Sequence, residues 1–389
     1  MTTTRPVKRN SPDGGLYARL EHPMLHYQVL LGATGFLLAL GLVMVASASS
    51  VFSYQQNNGN SWALATRQLI FAIIGVILMM AVSKMHVDAI RRWSTLFMLV
   101  VGALLVAVLV IGTAVHGQKN WIEFGGPFRI QPSEFAKLAI VMWGADILDR
   151  KYHLLEQRDH LLIPVLPVSG AVLVLVVLQG DVGTAMILTP IMASLLYFVG
   201  APRKWFMVLG AAGLSAIAAL SIAAPYRMAR FTSWLDPQAD AQGTGFQVIH
   251  GQQALGSGGW WGVGLGGSRE KWGTLPEAHT DFIYAVLGEE LGIIGTILVL
   301  FLFCAIAIVG LRIARGTDEA FIQIASLGIV TWIITQALVN IGAVLGILPI
   351  TGVPLPLVSY GGSSLVPTLL AMGILMAFAK HEAYMQEQR

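Results

Sequence analysis

Ser94-Thr-Leu-Phe-Met-Leu-Val-Val-Gly-Ala-Leu-Leu-Val-Ala-Val-Leu-Val-Ile-Gly-Thr-Ala-Val115 is an uninterrupted run without one charged residue. A helix needs about 20 mostly apolar residues to cross the ~30 Å hydrocarbon core of a bilayer, so this run reads as a membrane span. Comparable stretches lie near 26–48, 64–83, 133–148, 161–179, 183–200, 204–224, 282–311, 321–347 and 363–379. The 133–148 stretch is short, and the 282–311 stretch is long and contains Glu289 and Glu290.

Composition agrees. Of 389 residues, 55% are hydrophobic and only 12% charged, where an ordinary soluble domain carries roughly 25% charge. The mean hydropathy is +0.69, and 42 glycines and 10 tryptophans accompany it. These values exclude a soluble domain, a disordered chain and a collagen. Cys304 is the only cysteine and sits in an apolar run, which excludes a disulfide framework and a thiolate metal site. The net charge of +3 and pI near 9.0 do not imply a nucleic-acid partner, because the basic residues are scattered between apolar segments. Their role is to set topology.

With both termini inside, the inner segments carry Arg5, Lys8, Arg9 and Arg19, then Lys84, Arg91 and Arg92, then Arg150, Lys151 and Arg158. Arg203 and Lys204, Arg312 and Arg315, and finally Lys380 and Arg389 complete the set. Every proposed inner loop is basic, as the positive-inside rule requires. The expected fold is therefore all-α: a polytopic membrane protein of about ten transmembrane helices with cytoplasmic termini. Residues 1–25 form a cytoplasmic tail, 26–380 one ten-helix membrane domain, and 381–389 a second tail. A large extracytoplasmic loop, 225–280, falls between spans 7 and 8.

Ionisable groups at membrane depth are costly and are functional candidates by default. Here they gather on the outer side, and the inner halves of the spans read as almost uncharged. Gln131-Pro-Ser-Glu-Phe-Ala-Lys137 reads as a helix start. Glu134 and Lys137, three apart, share a helix face: they either neutralise each other or line a cavity against a polar headgroup. Asp181, after Gln179-Gly180, reads as an N-cap or a catalytic carboxylate. Gln336 and Asn340 are spaced to tie helices together.

In the long loop, Arg227 and Arg230 have the spacing of an anion-binding face, and Phe246–Leu255 carries a weak helical pattern. Gly262, Gly264 and Gly267 match GxGxxG, but no strand–helix unit surrounds them, so a backbone approaching a ligand or a helix is the better account. Trp260 and Trp261 read as interfacial belt residues. In Leu275-Pro-Glu-Ala-His-Thr-Asp-Phe282, Asp281 sits where a span begins, either as an N-cap or as a partly desolvated general base. The Pro- and Gly-rich run Leu348–Ser364 is irregular backbone suited to lining a cavity, with Ser363 or Ser364 as cap of the last helix.

Gln131–Lys137, Pro276-Glu-Ala-His-Thr-Asp-Phe282, Glu289-Glu-Leu-Gly292 and Leu348–Ser364 together resemble the SEDS family of shape, elongation, division and sporulation proteins. The resemblance runs from the first span to the last. Tyr226–Pro237 and Gly245-Phe-Gln247 are similar to the division branch. Two positions depart from the pattern: Gly180 stands where many relatives have Pro, and Asn120 where many have Arg.

The resemblance implies a bacterial peptidoglycan glycosyltransferase that polymerises lipid II at the outer face of the plasma membrane, at the division septum. The family's essential carboxylate falls on Asp281 as general base. Glu134, Lys137, Arg227, Arg230, Glu277, His279 and Ser363 are then the substrate-binding candidates. No tightly bound cofactor is implied; a divalent cation, Mg or Mn, is a candidate to stabilise the leaving diphosphate. The implied partners are lipid II and undecaprenyl-linked glycan, a class B penicillin-binding protein with other divisome proteins, and the bilayer. Two rival functions stand beside this one: a lipid II flippase and a non-catalytic division scaffold. The elongation paralogue is a further alternative.

Overall fold

The computed structural model describes residues 24–115, 118–123, 129–151, 158–198, 200–223, 225–243 and 245–387. Each apolar stretch of the sequence is a helix. In chain order these are α1 (Leu25–Gln56), α2 (Ala63–Val82), α3 (Val87–Ile111), α4 (Pro132–Arg150), α5 (Arg158–Leu178), α6 (Val182–Phe198) and α7 (Arg203–Ala223). The long loop contributes α8 (Pro225–Leu235) and α9 (Phe246–Gly258), and the chain ends with α10 (Ile283–Gly316), α11 (Ala320–Val344) and α12 (Gly362–Glu387).

Among the described residues, α1, α2, α3, α10, α11 and α12 are long and apolar enough to cross a bilayer unaided. The architecture is that of an all-α, multi-pass membrane protein. The distribution of apolar side chains shows why water is not its solvent. On α3, Ile90, Met98, Val101, Leu105 and Val108 are buried at helical spacing, while Leu96, Leu99, Val106 and Val110 are exposed. A helix apolar on its inward and outward faces alike belongs in lipid. By contrast α4 carries Glu134, Lys137, Asp146 and Asp149, and nearly all of it is buried inside the bundle. Its charges are tolerated because protein, not lipid, surrounds them.

The main core joins α11 and α12 to their neighbours: α2 packs along α12, α3 along α4, and α11 against α4, α6 and α10. Between α3 and α4 lies a small antiparallel sheet, β1 (Thr113–Val115), β2 (Gln118–Glu123) and β3 (Arg129–Ile130). Asp181 is the N-cap of α6: its Oδ1 accepts from the Thr184 amide at 3.0 Å.

Two sequence expectations change. Ser363 and Ser364 do not cap α12, which begins one residue earlier at Gly362. The inner side is not free of buried charge either. Asp146 of α4 is fully buried and accepts from Arg91 Nε of α3 at 2.7 Å and from Arg150 Nε at 3.0 Å. Its partners lie in neighbouring helices and one turn away, where loop-by-loop charge reading does not look.

Helix α10 is broken at Gly292, whose φ of 69° and ψ of −166° are open to glycine and not to L side chains. The glycine-rich segment fills the break. Val263 and Gly264 donate to the freed carbonyls of Glu289 and Glu290 at 2.9 and 3.1 Å. Gly259 and Trp260 carbonyls accept from the freed Ile293 and Ile294 amides at 2.9 and 3.4 Å. A Cβ on Gly262 would meet the Glu290 carbonyl at 2.1 Å. The glycines therefore serve close approach to a helix.

Candidate active site

Asp281 lies one residue ahead of the α10 N-cap, which is Phe282. It therefore does not cap the helix. Its side chain is half-buried, and its backbone is held from three directions. The carbonyls of His279, Thr280 and Asp281 each accept one hydrogen bond. The donors are the Tyr360 amide at 3.0 Å, the Ser359 hydroxyl at 2.7 Å and Asn340 Nδ2 at 2.8 Å. The donors belong to the irregular segment before α12 and to α11. Asn340 Nδ2 also reaches the Val353 carbonyl at 2.8 Å, and Ser359 Oγ accepts from the Leu355 amide at 2.8 Å. The Leu348–Ser364 segment and the Asp281 loop are thus fastened to each other. Gln68 of α2 adds a further tie, donating to the Ser359 carbonyl at 3.1 Å and accepting from Gly361 at 3.1 Å.

His279 is buried between two rings: Phe52 of α1, stacked at 4.9 Å, and Tyr360 at 5.6 Å. Burial pushes the imidazole below its ordinary pKa, against the opposing pull of Glu277. Glu277 is exposed, adopts a positive φ of 54°, and accepts from the Thr280 hydroxyl at 2.6 Å. Burial likewise pushes the Tyr360 phenol up, opposed by Arg67, which hydrogen-bonds it, and by the nearby Arg129. Sequence reading passed over Arg67 and Arg129 in this role. The available signal was an arginine near the start of α2, an expensive residue for a span.

Deeper in the bundle, Lys137 and Glu134 form an ion pair of 2.8 Å, both side chains almost wholly buried. Lys137 also donates to Gln336 Oε1 at 2.9 Å, lies 5.2 Å from the Trp332 ring, and so joins α4 to α11. Gln336 in turn donates to the Pro354 carbonyl at 2.9 Å. Asp181, besides capping α6, accepts from Gln131 Nε2 at 2.8 Å and Ser133 Oγ at 2.7 Å, which fixes the start of α4. Ser363 Oγ accepts from the Gln131 amide at 3.1 Å and donates to the Arg129 carbonyl at 3.0 Å. The structure thus brings Asp281, Glu277 and His279 together in one loop, with Ser363, Glu134 and Lys137 in the supports around it. Arg227 and Arg230 are on α8, but their side chains lie outside the described residues. Among those residues no three His, Cys, Asp or Glu side chains gather as a metal site.

The comparisons with known proteins extend over nearly the whole chain. Stage V sporulation protein E of Bacillus subtilis is 40% identical over 358 residues, covering 92% of this chain and 97% of that protein. The probable peptidoglycan glycosyltransferase FtsW of Tolumonas auensis is 40% identical over 361 residues, covering 92% of each. A solved structure of a peptidoglycan synthase complex, described for its coordination of polymerization and crosslinking, superposes with a TM-score of 0.70 at 27% identity. It covers 91% of this chain and 97% of the matched one. The model of the cell cycle protein family spans residues 28–384, and with these relatives it establishes that the chain belongs to the family of FtsW, RodA and SpoVE.

Proposed function

We propose that the protein is a peptidoglycan glycosyltransferase that polymerises lipid II at the outer face of the plasma membrane, with Asp281 as general base. One observation carries the assignment of the base: three consecutive carbonyls, 279 to 281, are pinned by Tyr360, Ser359 and Asn340, while Asp281 itself is only partly buried. A base held in place beforehand loses little in reorganisation when the reaction begins.

In this reading the 4-hydroxyl of the acceptor sugar attacks the anomeric carbon of the lipid-linked donor. Asp281 takes the hydroxyl proton, undecaprenyl diphosphate leaves, and the linkage inverts from α to β in one displacement. Arg67 and Arg129, gathered about Tyr360, supply positive charge beside the Asp281 loop, and Arg227 and Arg230 are further candidates for the diphosphate. A divalent cation bound to that diphosphate would supply further neutralising charge, and it would be held by the diphosphate itself, since no cluster of His, Cys, Asp or Glu stands ready for it among the described residues. Glu134 and Lys137 act through Gln336 on the Pro354 carbonyl, and Ser363 through the start of α4. Glu277 and His279 shape the loop next to the base. The partner is a class B penicillin-binding protein, and the site of action is the division septum, as the resemblance to the division branch supports.

The test is polymerisation of labelled lipid II by the purified chain, with and without its transpeptidase partner, comparing wild type with Asp281→Asn. Glycan ladders from wild type alone support both enzyme and base. Ladders from both proteins would remove Asp281 from the chemistry, and none from either would favour a flippase or a scaffold.

A further inference from the structure

We propose that Lys271 is a positioning residue for Asp281, acting through the buried carboxylate of Glu290. This rests on the reading of Asp281 as the base. Lys271 and Glu290 pair at 3.4 Å and so close a loop of the chain with Asp281 near its apex, ten residues from one end and nine from the other.

The returning limb of that loop is the first half of α10, Ile283 to the break at Gly292. Ile283 to Glu290 are all buried. A helix of this length spans about 13 Å and moves as a rigid body. Its far end, where the helical ladder stops, is held by the glycine-rich segment's amides on the Glu289 and Glu290 carbonyls and by the two glutamate side chains. Glu289 accepts from Ser268 Oγ at 2.5 Å and the Arg269 amide at 2.9 Å. Glu290 accepts from Ser47 Oγ of α1 at 2.6 Å and the Ser268 amide at 3.4 Å, and Lys271 Nζ completes the set.

Two carboxylates are therefore buried side by side, and among the described residues Lys271 is the cation within ion-pair distance of either. Its three ammonium protons reach three different elements: the Gly266 carbonyl at 2.6 Å, Ser47 Oγ at 3.1 Å and Glu290 Oε1. Glu290 Oε2, fully buried, makes no hydrogen bond among the described residues, so the carboxylate depends heavily on this one ammonium. Without it a buried charge is left uncompensated. The carboxylate can relieve that by taking up a proton or by moving, and where it moves the half-helix carries Asp281 with it. Phe52, five residues beyond Ser47 on α1, stacks on His279, so the same stretch of α1 grips the loop at both levels. A cavity of about 260 Å³ adjoins Lys271, lined by Ser50, Ser61 and Trp62 among others. It gives a longer cation room.

The experiment measures initial rates of lipid II polymerisation against substrate concentration, per mole of monodisperse protein, for Lys271→Met, Lys271→Arg, Glu290→Gln and the Lys271→Met/Glu290→Gln pair. Hydrogen exchange of residues 275–285 is followed in each. Lys271→Met is expected to lower kcat about tenfold or more, since an ångström of misplacement is costly, with KM within twofold. Lys271→Arg should stay within threefold of wild type. Removing the carboxylate as well should restore most of the rate and the protection of residues 275–285, which a simple loss of folded protein would not do. Wild-type kcat and exchange in Lys271→Met, or a double variant worse than Lys271→Met, would overturn the proposal. Asp281→Asn runs alongside: if it polymerises normally, the base assignment falls first. If it is inactive while Lys271→Met is unchanged, only the positioning role falls. The exchange readout decides the proposal even where turnover is too slow to measure.

Discussion

Substituting Gly292 by Ala attacks the break in α10 directly. At φ 69° and ψ −166° an L side chain is strained, at a cost of about 1–3 kcal/mol. The new Cβ would also stand 2.5 Å from the Gly262 nitrogen and 2.5 Å from the Trp260 carbonyl oxygen. Both are backbone atoms that cannot swing aside, so the 259–264 segment must lift. Lifting it breaks the bonds from Val263 and Gly264 to Glu289 and Glu290 and those from Ile293 and Ile294 to Gly259 and Trp260. At roughly 1 kcal/mol net for each bond, with the longest discounted, the total reaches about 4–6 kcal/mol. Even about 3 kcal/mol, less than the bottom of that range, corresponds to about a hundredfold in an opening equilibrium. Hydrogen exchange by mass spectrometry, in detergent or nanodiscs, should therefore show residues 256–267 and 286–296 exchanging about a hundredfold faster or more. Exchange within threefold of wild type in both peptides would refute the account of the glycine-rich segment as the filling of the break.

Two further outcomes follow from the site. Asn340→Ala removes the donor shared by the Asp281 and Val353 carbonyls; at about 1 kcal/mol each, kcat should fall roughly ten- to thirtyfold with KM little changed, as read by lipid II polymerisation kinetics. Burial holds the His279 pKa below its ordinary value, so its neutral form is the one the fold stabilises. That stability is complete above about pH 6.5 and is lost as pH falls from there through the depressed folded value. The melting temperature should drop more steeply on acidification in wild type than in His279→Phe, which keeps the Phe52 stack without a titrating group. Parallel pH profiles would contradict it.

What the sequence revealed depended on whether a feature is local. Apolar stretches announce spans because lipid contact leaves a one-dimensional mark, and the break of the long 282–311 stretch coincides with its internal Gly292. The Asp181 cap was legible because a cap is made within one turn. The cap assigned to Ser363 was not correct, since the hydroxyl finds Gln131 and Arg129 more than two hundred residues away. Strands β1 and β3, of three and two residues, are too short to show alternation. Gln336 and Asn340 read as helix glue; Gln336 does tie α11 to α4 through Lys137, and each also reaches into the irregular segment, at Pro354 and Val353, which the spacing did not show. Lys271 gave no signal at all, because a lysine in a polar loop is ordinary until its partner on α10 is known.

The same contacts bear on the choice between a fixed catalytic site and a passage through the membrane. A transporter needs two conformations within a few kcal/mol of each other. Here, separating α4 from α11 means parting Lys137 from Gln336, and separating α10 from α1 means parting Ser47 from Glu290 beside Lys271. At the inner side, separating α3 from α4 parts Arg91 from the fully buried Asp146. The first two are hydrogen bonds to charged groups, about 1.5–3 kcal/mol each, and the Arg91 pair, with one partner partly exposed, costs less to part than the about 3–5 kcal/mol of a wholly buried one. Opening the bundle along these seams together therefore costs several kcal/mol, which a substrate would have to offset. A reaction at the outer mouth demands no such opening. It needs a carboxylate held on a braced backbone, and in the proposed reading Asp281 supplies it, with its carbonyl pinned and the residue only partly buried.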